Sequence, residues 1–265
     1  MTRSLAEVSG LKVSYELSGP ALAPVVVLSH SLGADLTMWD PQEKLLARSF
    51  RVLRYDTRGH GGTALAAEPW TLAMLASDVL GLLDVLGVAR AHFCGLSMGG
   101  LIGMWLGAHA ASRIDKLVLS NTGARIGTAE SWNARIKSVS EGGMRSVSAS
   151  ILERWFTAEF RRAAPEVVAG VRRLIERTPA RGYAAACAAL RDADERADLG
   201  AIRAPTLVIA GRHDPATPPA DGQALASGIA GARYVELPAA HLSNLEATAA
   251  FNVELVGFLT GERAH

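Results

Sequence analysis

The stretch Ala91-His92-Phe93-Cys94-Gly95-Leu96-Ser97-Met98-Gly99-Gly100 constrains the fold of this chain more than any other. An apolar run leads into Gly-x-Ser-x-Gly, and the helix-compatible run Gly99–Ala110 follows. That order predicts a buried strand, a turn so sharp that Ser97 at its tip is strained, and then a helix. Gly95 and Gly99 fit such a turn, because a side chain at either would strike the adjoining strand or helix. The Ser97 hydroxyl is expected at the carboxyl edge of a sheet, beside a helix N-terminus that favours negative charge. Gly-x-Ser-x-Gly alone recurs by chance, so its downstream partners decide the reading.

Those partners are present and in order. Ala204–Ala210 reads as a strand running into Gly211-Arg212-His213-Asp214, which puts Asp214 in a loop at a strand's carboxyl end. A further strand, Ala232–Leu237, precedes the loop Pro238-Ala239-Ala240-His241. Serine, acid, histidine is the chain order of the α/β-hydrolase triad. In that reading His241 takes the Ser97 proton, and Asp214 fixes the imidazole tautomer and stabilises its charge. His92 and His109 fall in the elbow strand and helix and read as structural; His213 neighbours the acid, and His265 ends the chain. Only His241 follows the last strand on a loop. The competing acids Asp192, Asp194 and Asp198 lie in a charged stretch that reads as solvated.

Acyl transfer also needs donors for the developing oxyanion. The backbone N–H of Met98 is one candidate. The other is Leu32, in the His30-Ser31-Leu32-Gly33 loop after the apolar strand Pro24–Ser29. Ser31 stands where a His-Gly-x loop usually carries glycine.

Composition excludes other classes. Of the 265 residues 49% are hydrophobic, which rules out global disorder, and a net charge of +1 without a basic stripe gives no case for nucleic acid. Met1–Gly10 has no apolar signal core, and stretches such as Leu101–Ala108 are too short to span a bilayer. Cys94 and Cys187 form no metal or redox motif. The expectation is a soluble cytoplasmic protein with no disulfide framework, no metal, no cofactor and no membrane or nucleic-acid partner. Oligomeric state is not legible.

Leu11–Leu17 alternates like an edge strand; Val25–Ser29, Phe50–Tyr55 and Asp115–Ser120 read as further strands. Trp39–Ala47, with Pro41 near its start, and Thr71–Leu86, ended by Gly87, read as helices. The alternation implies an α/β fold with a parallel, doubly wound sheet and right-handed crossovers. Strands stop between about residues 125 and 201, where arginines and short helical stretches such as Met144–Ala158 and Tyr183–Leu190 predominate. The expected organisation is a hydrolase core of residues 1–124 and 202–265, with residues 125–201 inserted above Ser97 as a helical cap.

Tyr55-Asp56-Thr57-Arg58-Gly59-His60-Gly61-Gly62, the elbow from Phe93 to Gly100, Asn121–Gly127 and Trp132-Asn133-Ala134-Arg135-Ile136 closely resemble the 3-oxoadipate enol-lactonases of the α/β-hydrolase superfamily. The resemblance runs across nearly the whole chain, and the Asn121–Ile136 stretch discriminates best. It implies opening of a five-membered enol-lactone to 3-oxoadipate in the β-ketoadipate route of aromatic breakdown, with a small carboxylated lactone as partner. The substrate carboxylate then needs a cation. Among Arg125, Arg135, Arg145 and Arg154, Arg135 beside Trp132 is the leading candidate; Arg58 is expected to tie its loop to the sheet. Two other readings stay open: a broad carboxylesterase or cofactor-free perhydrolase, and a hydrolase-fold receptor or scaffold. Serine at 97 excludes hydrolases that need aspartate there.

Overall fold

The computed structural model describes residues 3–261, so His265 and the first two residues lie outside it. Eight strands form one sheet: β1 (Ser4–Val8), β2 (Leu11–Ser18), β3 (Val25–Ser29), β4 (Arg51–Tyr55), β5 (Ala91–Leu96), β6 (Ile114–Ser120), β7 (Thr206–Gly211) and β8 (Arg233–Leu237). Their order is β1-β2-β4-β3-β5-β6-β7-β8. β1 and β2 are antiparallel to their neighbours, and every pairing from β4 to β8 is parallel. All six residues of β5 and of β7 are buried, as expected of strands covered on both faces.

The alternation of Leu11–Leu17 predicts an edge strand, but β2 lies one place in. Val8 pairs with Leu11 across a two-residue turn, with Ser9 and Gly10 at φ 49° and 81°. Positive φ at both positions is what a tight hairpin turn of native twist requires. The short, largely exposed β1 thus takes the edge, and its Val8 is held where a side chain on Gly81 would lie 2.4 Å from it.

The flanking helices in the first half are α1 (Asp40–Leu46), α2 (Leu72–Val85) and α3 (Met98–His109). Thr71 caps α2 by accepting from Met74 N–H, and Pro41 sits in the first turn of α1. Between β6 and β7 the chain adds α4 (Ala129–Gly142), α5 (Arg145–Trp155), α6 (Ala158–Ala163), α7 (Pro165–Arg177) and α8 (Ala180–Asp192). The stretch Met144–Ala158 is therefore not one helix. Phe156 and Thr157 are extended, and Thr157 caps α6 by accepting from Phe160 N–H. α9 (Pro219–Gly228), α10 (Ser243–Glu246) and α11 (Thr248–Thr260) complete the chain. No helix among the described residues is long and apolar enough to cross a membrane.

Candidate active site

Ser97 lies between β5 and α3 with φ 59° and ψ −113°, a strained conformation for a non-glycine residue. A Cβ on Gly95 would lie 2.0 Å from Gly99 O, and one on Gly99 2.2 Å from Ser29 O. Both glycines are therefore steric necessities of the turn. Ser97 N–H donates to Ser120 O at 3.0 Å, and Thr122 Oγ1 donates to Ser97 O at 2.8 Å, so neighbouring backbone holds the strain in place.

Asp214 follows β7 and His241 follows β8, both at carboxyl ends of strands. His241 Nδ1 is 2.8 Å from Asp214 Oδ2. The same oxygen accepts from Thr217 Oγ1 at 2.7 Å and from Asn121 Nδ2 at 3.0 Å, while Oδ1 accepts from the N–H groups of Ala216 and Thr217. Burial pushes the Asp214 carboxyl up, but the His241 charge and these hydrogen bonds outweigh it and hold it at about 2. Nδ1 of His241 thus carries a proton towards Asp214, and His241 lines the same cavity as Ser97. Asn121, at φ 44°, also donates to Ala240 O at 3.1 Å and accepts from Ser243 Oγ, so one amide ties the acid to the histidine loop. Thr217 and Asn121 escape a reading of sequence spacing, since their roles depend on strands brought together only in the fold.

α3 begins at Met98, whose N–H is one of the unpaired donors of a helix start. Among the described residues no protein acceptor engages the N–H of Met98 or of Leu32. Two buried histidines shape the Leu32 loop. His30 Nδ1 donates to Ser31 O at 2.8 Å and its Nε2 accepts from Thr57 N–H at 2.9 Å. His60 Nδ1 donates to Arg58 O, and its Nε2 accepts from Gly33 N–H, both at 3.1 Å. Each imidazole must be neutral to accept. Asp56 adds acceptors for Leu36 N–H and Gly62 N–H at 2.8 and 2.7 Å. Arg58 ties its loop to α2 and not to the sheet: its guanidinium forms a buried two-point pair with Asp78 at 2.7 and 2.6 Å. Asp78 is buried on α2, and Arg58 is its ion-pair partner.

Burial, reinforced by the neighbouring His30, pushes His60 down to about 3, and burial also lowers His30. In an unfolded chain histidine titrates near 6.5. Between those values the unfolded chain binds a proton that the folded one does not. Stability is therefore complete above about pH 6.5 and falls as pH drops towards 3. Urea midpoints measured between pH 7 and pH 4 are expected to fall, with a shallower slope in His60→Gln. An unchanged slope would assign the loss to other groups.

Ser97 and His241 open onto a cavity of about 230 Å³. Its lining includes Ser31, Leu32, Trp132, Arg135, Arg154 and Tyr183. The Arg135 guanidinium lies 5.2 Å from the Trp132 ring centre, a cation–π contact, and Trp132 Nε1 donates to Ile126 O at 2.6 Å. Burial, and then the charge of Arg135, lowers Arg154 from the usual guanidinium value. Among the described residues neither arginine has a carboxylate partner. Arg125 and Arg145 do not join them: they pair with Asp194 at 3.7 Å and Glu176 at 3.9 Å and stand well exposed. The insertion is also fastened to the histidine loop. Leu242 N–H donates to Trp155 O at 3.1 Å, and Glu246 accepts from Thr157 and from Ala240 N–H at 2.9 Å.

The family model for the alpha/beta hydrolase fold matches residues 24–141 and 155–248. The 3-oxoadipate enol-lactonase 1 of Acinetobacter baylyi is 41% identical over 94% of this chain and 94% of its own. Enol-lactonase 2 of the same organism is 41% identical over 91% and 90%. The crystal structure of the enol-lactonase from Burkholderia xenovorans LB400 superposes with a TM-score of 0.96 at 48% identity, over 97% of this chain and all of that one. A serine at a strained strand–helix turn, with acid and histidine after the later strands, is thus joined to near-complete similarity in sequence and structure. The chain belongs to the α/β hydrolase family, among the 3-oxoadipate enol-lactonases.

Proposed function

We propose that this protein hydrolyses 3-oxoadipate enol-lactone to 3-oxoadipate, with Ser97 as nucleophile, His241 as base and Asp214 as its orienting acid. The observation that carries the reading is a single cavity with Ser97 and His241 in its wall and, beside them, Arg135 and Arg154, which have no carboxylate partner among the described residues. Ser97 Oγ attacks the lactone carbonyl as His241 Nε2 takes its proton. The N–H groups of Leu32 and Met98 stabilise the tetrahedral oxyanion. Collapse breaks the ring C–O bond and expels an enolate, a better leaving group than an alkoxide, which His241 protonates. Water, activated by the same histidine, then cleaves the acyl-enzyme, and the enol becomes the ketone. Nothing in this sequence of steps calls for a cofactor. Residues 125–201 act as a cap, supplying the specificity contacts of Trp132, Arg135 and Arg154 while the core supplies the chemistry.

Arg135, stacked on Trp132, anchors the substrate carboxylate and Arg154 adds a second charge. Truncating one partner of such a buried charge pair costs roughly 2–5 kcal/mol, or about 30-fold and upwards in affinity. Arg135→Ala is therefore expected to raise KM for the enol-lactone at least that much, yet barely change cleavage of p-nitrophenyl acetate. Equal losses on both substrates would make Arg135 a packing residue. The wild-type protein is expected to prefer enzymatically generated enol-lactone strongly over p-nitrophenyl acetate. Equal efficiency on the two would make it a broad esterase instead.

A further inference from the structure

A second cluster lies at the far end of α3. His109 is the last residue of that helix, about 17 Å along its axis from Met98. Glu195 and Asp198 lie where the chain returns from the insertion towards β7. One donor atom from each of the three lies within 4.8 Å of the other two. His109 Nε2 is 3.7 Å from Asp198 Oδ2.

Glu195 makes this more than a chance meeting of surface charges. It is only 7% exposed, and its Oε2 is buried with no hydrogen-bond partner. A carboxylate oxygen removed from water and left without a donor is costly, and such groups call for an explanation. Neighbouring acids are satisfied: Asp194 pairs with Arg196 and Arg125, and Asp192 with Arg191. No arginine or lysine pairs with Glu195 or Asp198 among the described residues. His109 is steadied by its ring contact with Trp105, at 4.8 Å between centroids.

We propose that His109, Glu195 and Asp198 bind one divalent transition ion of the zinc type, with water completing its shell. An imidazole nitrogen with two carboxylate oxygens suits zinc better than calcium or magnesium, which take oxygen ligands. Zinc bonds of about 2.0–2.2 Å set tetrahedral ligand atoms roughly 3.3 Å apart. Closing from separations of up to 4.8 Å needs the side chains to rotate inward, and those of His109 and Asp198 are 41% and 38% exposed. The two carboxylates neutralise the ion, and the buried Glu195 oxygen gains its missing partner. Glu195 N–H donates to Ala124 O at 2.8 Å, so the ion fastens the end of α3 to the root of the insertion. Its role is structural, remote from Ser97.

Full-length protein treated with EDTA and titrated with zinc chloride in a calorimeter is expected to bind one equivalent per chain. Cobalt chloride is expected to give the visible absorption of a low-coordinate site. At zinc about a hundredfold above its dissociation constant, Tm is expected to rise by about 5 °C. His109→Ala, at an exposed position, and Asp198→Asn, at a half-buried one, are each expected to weaken zinc binding at least about tenfold. Both are expected to keep p-nitrophenyl acetate hydrolysis, which reports that they fold. Absence of saturable binding, or affinity undiminished in both variants, overturns the site.

Discussion

Ser97→Ala yields a folded protein whose turnover of enol-lactone and of p-nitrophenyl acetate is lower by on the order of a millionfold. The Ser97 hydroxyl stands at an elbow built to present it, in the wall of the cavity that His241 also lines. Alanine at φ 59° is about as strained as serine, so the substitution leaves the fold's energetics nearly unchanged. The elbow glycines and the hydrogen bond from Ser97 N–H to Ser120 O remain. Circular dichroism and a melting curve check the fold; a progress curve at high enzyme concentration measures residual turnover. A variant keeping a tenth of wild-type activity would remove Ser97 from the nucleophile's role.

His241→Ala is expected to be about as damaging, because the members act as one unit, and Asp214→Asn to lower kcat about ten-thousandfold. The geometry around Asp214 explains why a near-isosteric amide fails. Oδ2 accepts from His241, Thr217 and Asn121 together, and Oδ1 accepts from two backbone N–H groups. An asparagine oxygen satisfies one set, and its NH2 then faces donors on the other side. Either the imidazole is turned to the wrong tautomer or the loop that bears Thr217 is pushed away. Values of kcat and KM for both substrates measure the effect. Near-wild-type activity in Asp214→Asn would remove Asp214 from the acid's role.

Much of this was legible in the chain because the elbow is local. Gly95, Ser97 and Gly99 meet within one turn, and short-range sterics alone specify them. The order of Asp214 and His241 was readable because each follows an apolar strand of ordinary length. Leu11–Leu17 misled as an edge strand because alternation records burial on one face and says nothing of what pairs alongside. Met144–Ala158 misled because helix-forming residues continue through Phe156, and only Thr157 as a cap breaks the run. Asn121, His30 and His60 gave no signal as site residues. Each has a partner far away in sequence, Thr57 N–H for His30, Gly33 N–H for His60 and Asp214 for Asn121, and a polar residue's worth depends on which groups the fold delivers to it. Arg58 was readable as structural, yet its partner Asp78 is fixed only by the docking of α2.

Trp155 and Thr157 belong to the insertion, while Leu242 and Glu246 flank His241, and hydrogen bonds join the two groups. Specificity and chemistry are therefore not separable parts here. A chimera that takes residues 125–201 from a relative also replaces the carbonyl that holds Leu242 and the hydroxyl that holds Glu246. Unless the graft preserves the backbone path at those two points, the imidazole of His241 shifts. The recombinant then loses turnover on every ester, whatever pocket it was given. Lineages that changed substrate by remodelling this insertion would have had to work around that pin, altering α4 and α8 sooner than the end of α5.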